Sequence, residues 1–254
     1  MLKQISVALF LLFTFSITIS CNYPHITAES GINEKLPRRG FLFLQKSVVF
    51  HQCVGETCAS MTANSVASGF IVKIQERGSY AITAAHVCET AVPPTTPPVR
   101  AESSYVAVTA DGRQYKAIVL DYNSEIDVCM LFVENLKHDV QAVKISNRPP
   151  TIGEKVYNYA APRGIYRPGI VTLIEGRFNG FAGGVAWYTL PAAPGSSGSM
   201  IVNGEGELVG MVHSVYIHFP LITLSTEFRG LQHFIEHNLG KHSDRFWMTR
   251  PRQN

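Results

Sequence analysis

The sequence predicts an all-β fold, a barrel or sandwich of many short strands, with one α-helix near the C-terminus. Three observations predict it. Apolar residues recur with a period of two in run after run. Gly, Asp, Asn and Pro stand between most of those runs and mark turns. Only one segment, 227–239, carries apolar residues at helical spacing. A chain of 254 residues is long enough for one large β domain or two small ones, and its 46% apolar content supports a sizeable core. The formal net charge of +3, with no long basic block, argues against nucleic acid as a partner.

Along the chain, 70–74 reads as a strand, 76–79 as a turn and 80–83 as the returning strand. Residues 105–109 and 114–120 form a second pair around the tight-turn signal Asp111-Gly112. Strands follow at 128–133, 156–160, 169–174, 186–190, 200–202, 207–212 and 222–226. The Pro-rich stretch 93–98 is stiff and extended and reads as a surface loop, because strands resume on both sides. Residues 178–184 read as a mobile Gly-rich loop. In the helix, Leu231, Phe234, Ile235 and Leu239 share one face, and Gly240 is the expected stop. Residues 241–254 are polar and expected to be disordered.

Residues 1–21 read as an export signal. Lys3 precedes an uncharged run of 15 residues from Ile5 to Ile19, shorter than the roughly 20 a membrane span needs. Ser20-Cys21 follows, a small residue before Cys that resembles a bacterial lipoprotein cleavage site, with Thr18 where that motif prefers Leu. Cys21 is therefore a lipidation candidate, with simple export and an uncleaved anchor as alternatives. Each places the domain outside the cytoplasm: periplasmic, membrane-anchored or secreted. Contact with a membrane is expected through this segment alone. Residues 22–39 read as a linker. The remaining cysteines are Cys53, Cys58, Cys88 and Cys129, which allow three pairings. Cys53 and Cys58 flank Gly55 in a short loop, which suits a hairpin-closing bridge, while four reduced, buried thiols are the alternative. No CxxC occurs, so no metal site is expected.

Three short stretches carry chemistry. His86 follows two alanines at the end of an apolar strand, in TAAHV. Asp127 stands at the entry of the apolar run VCML, where a buried carboxylate is costly unless partnered. Residues 194–199 spell PGSSGS. Acyl transfer needs a hydroxyl nucleophile, a base within hydrogen-bond reach, a carboxylate orienting that base, and backbone N–H groups aimed at the oxyanion. A Gly two residues before the nucleophile lets the backbone approach the substrate carbonyl. That condition selects Ser197, preceded by Gly195. Ser196 has Pro194 in that position and Ser199 has Ser197. Asp121 and Glu125 compete with Asp127 for the carboxylate role.

TAAHV, DVCML and PGSSGSMIV, in the order His, Asp, Ser, resemble the trypsin-like serine peptidases of the chymotrypsin fold. The likeness leans toward their bacterial HtrA and glutamyl endopeptidase branches and covers roughly residues 40–240. Further stretches carry it: SVASGFIV at 65–72, GEKV at 153–156, PRG at 162–164, PGIV at 168–171 and GELVGMV at 206–212. The resemblance implies two six-stranded antiparallel β-barrels with a C-terminal helix, a boundary near 140–152, and a site in the cleft between them. It implies Ser197 as nucleophile, His86 as base and then acid, Asp127 as orienting carboxylate, and an oxyanion hole of the Gly195 and Ser197 N–H groups. It implies protein or peptide substrates and no cofactor, and on this reading the chain carries the peptidase domain only.

Two departures matter. Ser196 stands where trypsin has the Asp that pairs with a freed N-terminus, so activation by that salt bridge is not expected. Ser199 replaces the trypsin Gly but is shared with glutamyl endopeptidases. The resemblance puts the substrate pocket at Pro191, Ala192 and Ala193, with His213 and Ser214 on a later strand. Without an Asp on its floor the pocket favours a small or apolar residue before the scissile bond. The alternative is a glutamyl-type pocket using His213, although Val212 fills the expected position and strand alternation turns His213 to the other face. A catalytically silent protease-like binding module is the rival class. His233 and Glu236-His237 spell HxxEH, but the short helix needs its apolar face for packing, so a solvated helix face is the stronger reading. The lipase pattern GxSxG fails at Ser199.

Overall fold

The computed structural model describes residues 35–243 apart from 93, 95, 97, 217 and 218. The export signal with Cys21, and the segment 244–254, lie outside the described residues. Strands β1 (Phe41–Val54), β2 (Thr57–Gln75), β3 (Gly78–Thr83), β4 (Arg100–Thr109), β5 (Gln114–Asn123) and β6 (Val128–Glu134) close into one antiparallel barrel in the order β1-β2-β3-β6-β5-β4. The second barrel comprises β7 (Lys155–Ala160), β9 (Ile170–Ala182), β10 (Val185–Thr189), β11 (Met200–Val202), β12 (Leu208–Val215) and β13 (Ile222–Thr226). It runs β10-β13-β12-β11-β7-β9 and closes through a β9–β10 pairing, with the two-residue β8 (Tyr166–Arg167) added on β9. Helix α1 (Ala85–Cys88) follows β3, and α2 (Phe228–Ser243) ends the described chain.

The barrels are sewn together by the segment between them. Val143 N–H donates to the Ile71 carbonyl of the first barrel at 2.7 Å. One residue on, the Lys144 carbonyl accepts the Leu208 N–H of the second at 2.8 Å. β6 is apolar on both faces, and Val128 through Val133 are essentially inaccessible, because one face points into its barrel and the other is covered by α2 through Leu231, Phe234 and Ile235.

Two expectations are corrected and one strand is added. β1 is not among the strands that the periodicity predicts. Its first four residues, Phe41 to Leu44, are buried on both faces, with Phe43 stacked on Tyr166 at 4.9 Å, so its start lacks the alternation that marks a half-exposed strand. The Gly-rich 178–182 is not a loop: it extends β9, and the turn falls at Gly183-Gly184. Helix α2 does not stop at Gly240. Its last turn is held to the first barrel by Lys241 against Asp121 and by the Tyr80 hydroxyl on the His242 carbonyl at 3.1 Å.

Two disulfides form, Cys53–Cys58 across the β1–β2 tip and Cys88–Cys129 between α1 and β6. Their sequence separations are 5 and 41 residues, and loop-closure entropy grows with the logarithm of that span. Urea unfolding of Cys→Ser pairs should therefore show a loss of about 4 kcal/mol for Cys88/Cys129 and about 2 kcal/mol for Cys53/Cys58. A larger loss at the shorter loop would contradict the entropic account.

Candidate active site

His86 lies in α1, just beyond β3. Ala84 and Ala85 are fully buried, and their small side chains let this turn sit tightly between the barrels. Asp127 ends the turn between β5 and β6, whose first amides, Glu125 and Ile126 N–H, are held by the Asn123 side-chain oxygen at 2.9 and 3.2 Å. Its backbone is left-handed, with φ of 52°, a conformation Asp tolerates better than most residues. That twist turns the carboxylate onto His86. Oδ1 accepts the His86 backbone N–H at 2.9 Å, and Oδ2 lies 2.8 Å from the ring Nδ1. The carboxylate thus binds both the backbone and the ring of one residue and keeps Nδ1 protonated, leaving Nε2 as the free acceptor. The hydrogen bond to Asp127 raises the His86 pKa above 6.5, against an opposing effect of burial. The Cys88–Cys129 bridge joins the residue two after His86 to the residue two after Asp127 and fixes their separation covalently. Of the rival carboxylates, Asp121 pairs with Lys241 on α2, and Glu125 is exposed.

The 194–199 loop is clamped from both sides. The Ser197 carbonyl accepts the Ser68 N–H of β2 at 2.9 Å, while the Gly198 N–H donates to the Val212 carbonyl of β12 at 2.7 Å. A Cβ on Gly198 would stand 2.2 Å from Thr83 Oγ1 and 2.4 Å from the Ser68 carbonyl, and φ is 81°, so only glycine fits. This close approach sets Ser197 against the end of β3, three residues before His86. The Pro194 carbonyl accepts the Arg163 N–H at 2.6 Å. In a trans peptide the C=O and N–H point opposite ways, so this bond fixes the direction of the Gly195 N–H. Gly195 and Ser197 N–H donate to no protein group among the described residues. Two free donors two residues apart, beside a half-buried hydroxyl, match what a tetrahedral oxyanion requires.

The three serines of the loop differ in surroundings. Ser196 is fully buried, and its Oγ accepts the Ala193 N–H at 3.3 Å. Ser199 is also fully buried, and its Oγ accepts from Asn158 Nδ2 at 2.8 Å. Ser197 alone among them retains exposure.

The sequence reading assigned no role to Ser68, which is wholly buried with every polar group partnered. Besides its N–H bond to Ser197, its Oγ donates to the Gly195 carbonyl at 2.8 Å and accepts the Ala161 N–H at 3.0 Å. Its carbonyl accepts from Thr83 Oγ1 at 2.8 Å. A serine inside an apolar strand was the available signal, since a buried hydroxyl needs partners.

His213 alternates away from Val212, which packs inside the second barrel, and there it meets Asp127 with Nδ1 3.9 Å from Oδ2. The register of β12 against β13 slips at this residue. Burial pushes its imidazole below the ordinary range, against the opposing pull of Asp127. The structure thus puts His213 beside the carboxylate. Ala192 is buried, Ala193 and Ser214 are half-buried, and Pro191 is exposed. Pro191 lines a surface hollow of about 550 Å³ with Gly153, Glu175, Arg177, Phe178 and Leu221, apart from His213 and Ser197. The rings of His233 and His237 lie 6.0 Å apart on α2, and no group of three potential ligands assembles among the described residues.

The model of the trypsin-like peptidase domain matches residues 67–211, a span that includes His86, Asp127 and Ser197. A search of curated proteins returned no significant match.

Replacing Ser68 by Ala would leave the Ala161 N–H and the Gly195 carbonyl buried without partners. A loss of about 2–4 kcal/mol in urea unfolding is expected. Wild-type stability in that variant would show that the junction tolerates unpaired groups.

Proposed function

The chain belongs to the trypsin-like peptidase family, and from that premise we propose that it is a serine endopeptidase working through an acyl-enzyme. The observation that carries the proposal is the two-point bond from Asp127 to the backbone and ring of His86, beside a loop whose Gly195 and Ser197 N–H groups are free. In this reading His86 Nε2 takes the proton of Ser197 Oγ as that oxygen attacks the substrate carbonyl. Asp127 stabilises the imidazolium that forms, and the two free N–H groups receive the oxyanion. His86 then returns the proton to the leaving amine, and water repeats the sequence to release the acid. Gly195 N–H needs no reorientation, since Arg163 already holds its peptide by the far end.

The residue before the scissile bond is proposed to be small or apolar. Ala192 and Ala193 offer no charge, and His213 faces the Asp127 carboxylate while burial disfavours its cationic form, so an acidic side chain finds little attraction there. Kinship with the HtrA and glutamyl endopeptidase branches is proposed from the sequence motifs alone. An exported location is proposed from the N-terminal segment. Two disulfides agree with an oxidising compartment, and no helix among the described residues is long and apolar enough to cross a membrane.

A fluorophosphonate probe should label the wild type, and Ser197→Ala should abolish labelling. A folded wild type that never labels would leave a silent binding module as the reading. Asp127→Asn should lower kcat by about 10⁴ through loss of the productive tautomer, and near-normal turnover would refute its role. Only neutral His86 can act as base, and its pKa is raised, so kcat/KM should fall on acidification with a midpoint above 6.5. That midpoint should move lower in Asp127→Asn, because the hydrogen bond that raises it is weakened.

A further inference from the structure

The two disulfides stand in opposite surroundings. Cys88 is 7% exposed and Cys129 is inaccessible, packed in the apolar core around β6. Cys53 and Cys58 are both exposed, at the tip of the β1–β2 hairpin, where every residue from Cys53 to Val66 meets solvent. Accessible bridges are the ones that exchange with external thiols, because the attacking thiolate must reach a sulfur atom.

The register shows what the tip bridge does and does not hold. Cys53 and Cys58 are directly opposed partners. Backbone groups alternate in direction along a strand. Ser68 N–H points away from β1, to the Ser197 carbonyl, and the β1–β2 register runs without a slip from Ser68 to Thr57. Cys58, an even number of residues earlier, therefore also points its N–H and C=O away from β1. The cysteine pair exchanges no backbone hydrogen bonds, in agreement with Cα atoms only 4.0 Å apart. Opening the S–S bond thus breaks no backbone bond, and the pairing from Phe41↔Phe70 to Gln52↔Ala59 remains to hold the hairpin.

The face that carries the bridge also carries charge. Side chains two apart on a strand share a face, so Cys53 shares one with His51, and Cys58 with Ser60. His51 pairs with Ser60 on one side and with Arg100 of β4 on the other, which makes Ser60, His51 and Arg100 the row next to the bridge. His51 Nδ1 and Ser60 Oγ are 2.7 Å apart within that row. Glu102 lies one such row further away, opposite Val49. These two charged residues, His51, Pro98 and both cysteines line one hollow of about 610 Å³. By register Arg100 is the nearer charge, and a neighbouring cation favours the thiolate form of a cysteine.

We propose that Cys53–Cys58 is a thiol–disulfide exchange site, opened and closed by an external dithiol while the Cys88–Cys129 bridge stays closed. One thiolate of the dithiol attacks one of the two exposed sulfurs. A new S–S bond forms to the reagent, the Cys53–Cys58 bond breaks, and the other sulfur leaves as a thiolate beside Arg100. The reagent's second thiolate then attacks its own sulfur in the mixed disulfide and leaves as an oxidised, internally bridged reagent. Two electrons pass from the dithiol to the bridge, and the two protons shed by the reagent's thiols end on Cys53 and Cys58. The reverse sequence closes the bridge. The redox poise of the surroundings thus sets the state of the hairpin tip without loosening the covalent tether between the His86 and Asp127 segments.

The test treats the folded full chain with graded dithiothreitol and no denaturant, traps free thiols with N-ethylmaleimide, and maps them by mass spectrometry. Cys53 and Cys58 should be labelled roughly a hundredfold faster than Cys88 and Cys129, whose reduction waits on opening of the core. The protein reduced at the tip should keep a single cooperative melting transition, with hydrogen exchange quickened most at 52–58. Oxidised glutathione added to it should give one mixed disulfide on Cys53 or Cys58 and then restore the bridge. Arg100→Gln should slow opening about threefold. Equal labelling rates at the two bridges, or labelling of Cys53 and Cys58 only after unfolding, would overturn the proposal. An opening rate unchanged in Arg100→Gln would refute the part given to that cation.

Discussion

One peptide group, Ser197–Gly198, joins the two halves of the molecule at the point where the chemistry is proposed to occur. Its carbonyl is bound by β2 of the first barrel and its N–H by β12 of the second. Neither barrel alone can set the height or tilt of Ser197. Each supplies one end of a rigid planar unit, and the peptide plane settles when both ends are bound. Gly198 is the steric condition for this arrangement, since a side chain there would run into β3 and Ser68. Ser68 multiplies the constraint, because the same residue also binds Gly195 and Ala161, two backbone segments of the second barrel. The loop is thus positioned by backbone hydrogen bonds in a buried setting, where an unmade bond costs more than a made one gains.

The His86–Asp127 half of the site is positioned within the first barrel and by different means. A disulfide fixes the distance between the segments that carry the two residues, and a left-handed Asp127 aims the carboxylate. Holding a non-glycine residue at positive φ costs of order 1 kcal/mol, which the three contacts of Asp127 to His86 offset. The division has a consequence. The covalent tether keeps His86 and Asp127 together however the barrels move, whereas the place of Ser197, the proposed nucleophile, depends on their docking. The N-terminal segment 35–40, the connector 141–146 and α2 all act on that docking, which is why elements far from the site bear on it.

How much of this could be read from the sequence depended on where the determining contacts lie. The strand at 222–226 was legible because alternation is local, and 200–202, buried throughout, was legible as a short apolar run after a turn; in both the read bounds and the structural ones coincide. β1 was not, since burial on both faces erases alternation, and such a run is told from other apolar segments by its partners. The Gly-rich end of β9 was misread because its glycines suggested a loop, while pairing with β10 overrode local preference. In the site, His86, Asp127 and Ser197 were legible as residue types that acyl transfer demands in a stated order. Ser68 was not, and for His213 alternation gave the face but not the Asp127 carboxylate it meets. Their surroundings are set by a contact across 127 residues for Ser68 with Gly195, and by the meeting of β12 with the β5–β6 turn for His213. Chemistry constrains residue identity and so leaves a trace in the sequence, whereas support for that chemistry comes from whichever neighbour the fold provides.

The clamp and the free edge are two aspects of one ladder. Going along β2 from Gln75, the outer partner is β3 as far as Phe70, then the Ser197 carbonyl at Ser68, and beyond that no strand among the described residues. The active-site loop therefore occupies the place where the sheet would continue. A barrel strand that ended at Ser68 would have served the clamp equally well, and the additional turns of hairpin contribute no buried core, since 57–66 is exposed throughout. The hairpin beyond Ser68 is held instead by its ladder to β1 and by the Cys53–Cys58 bridge at its tip.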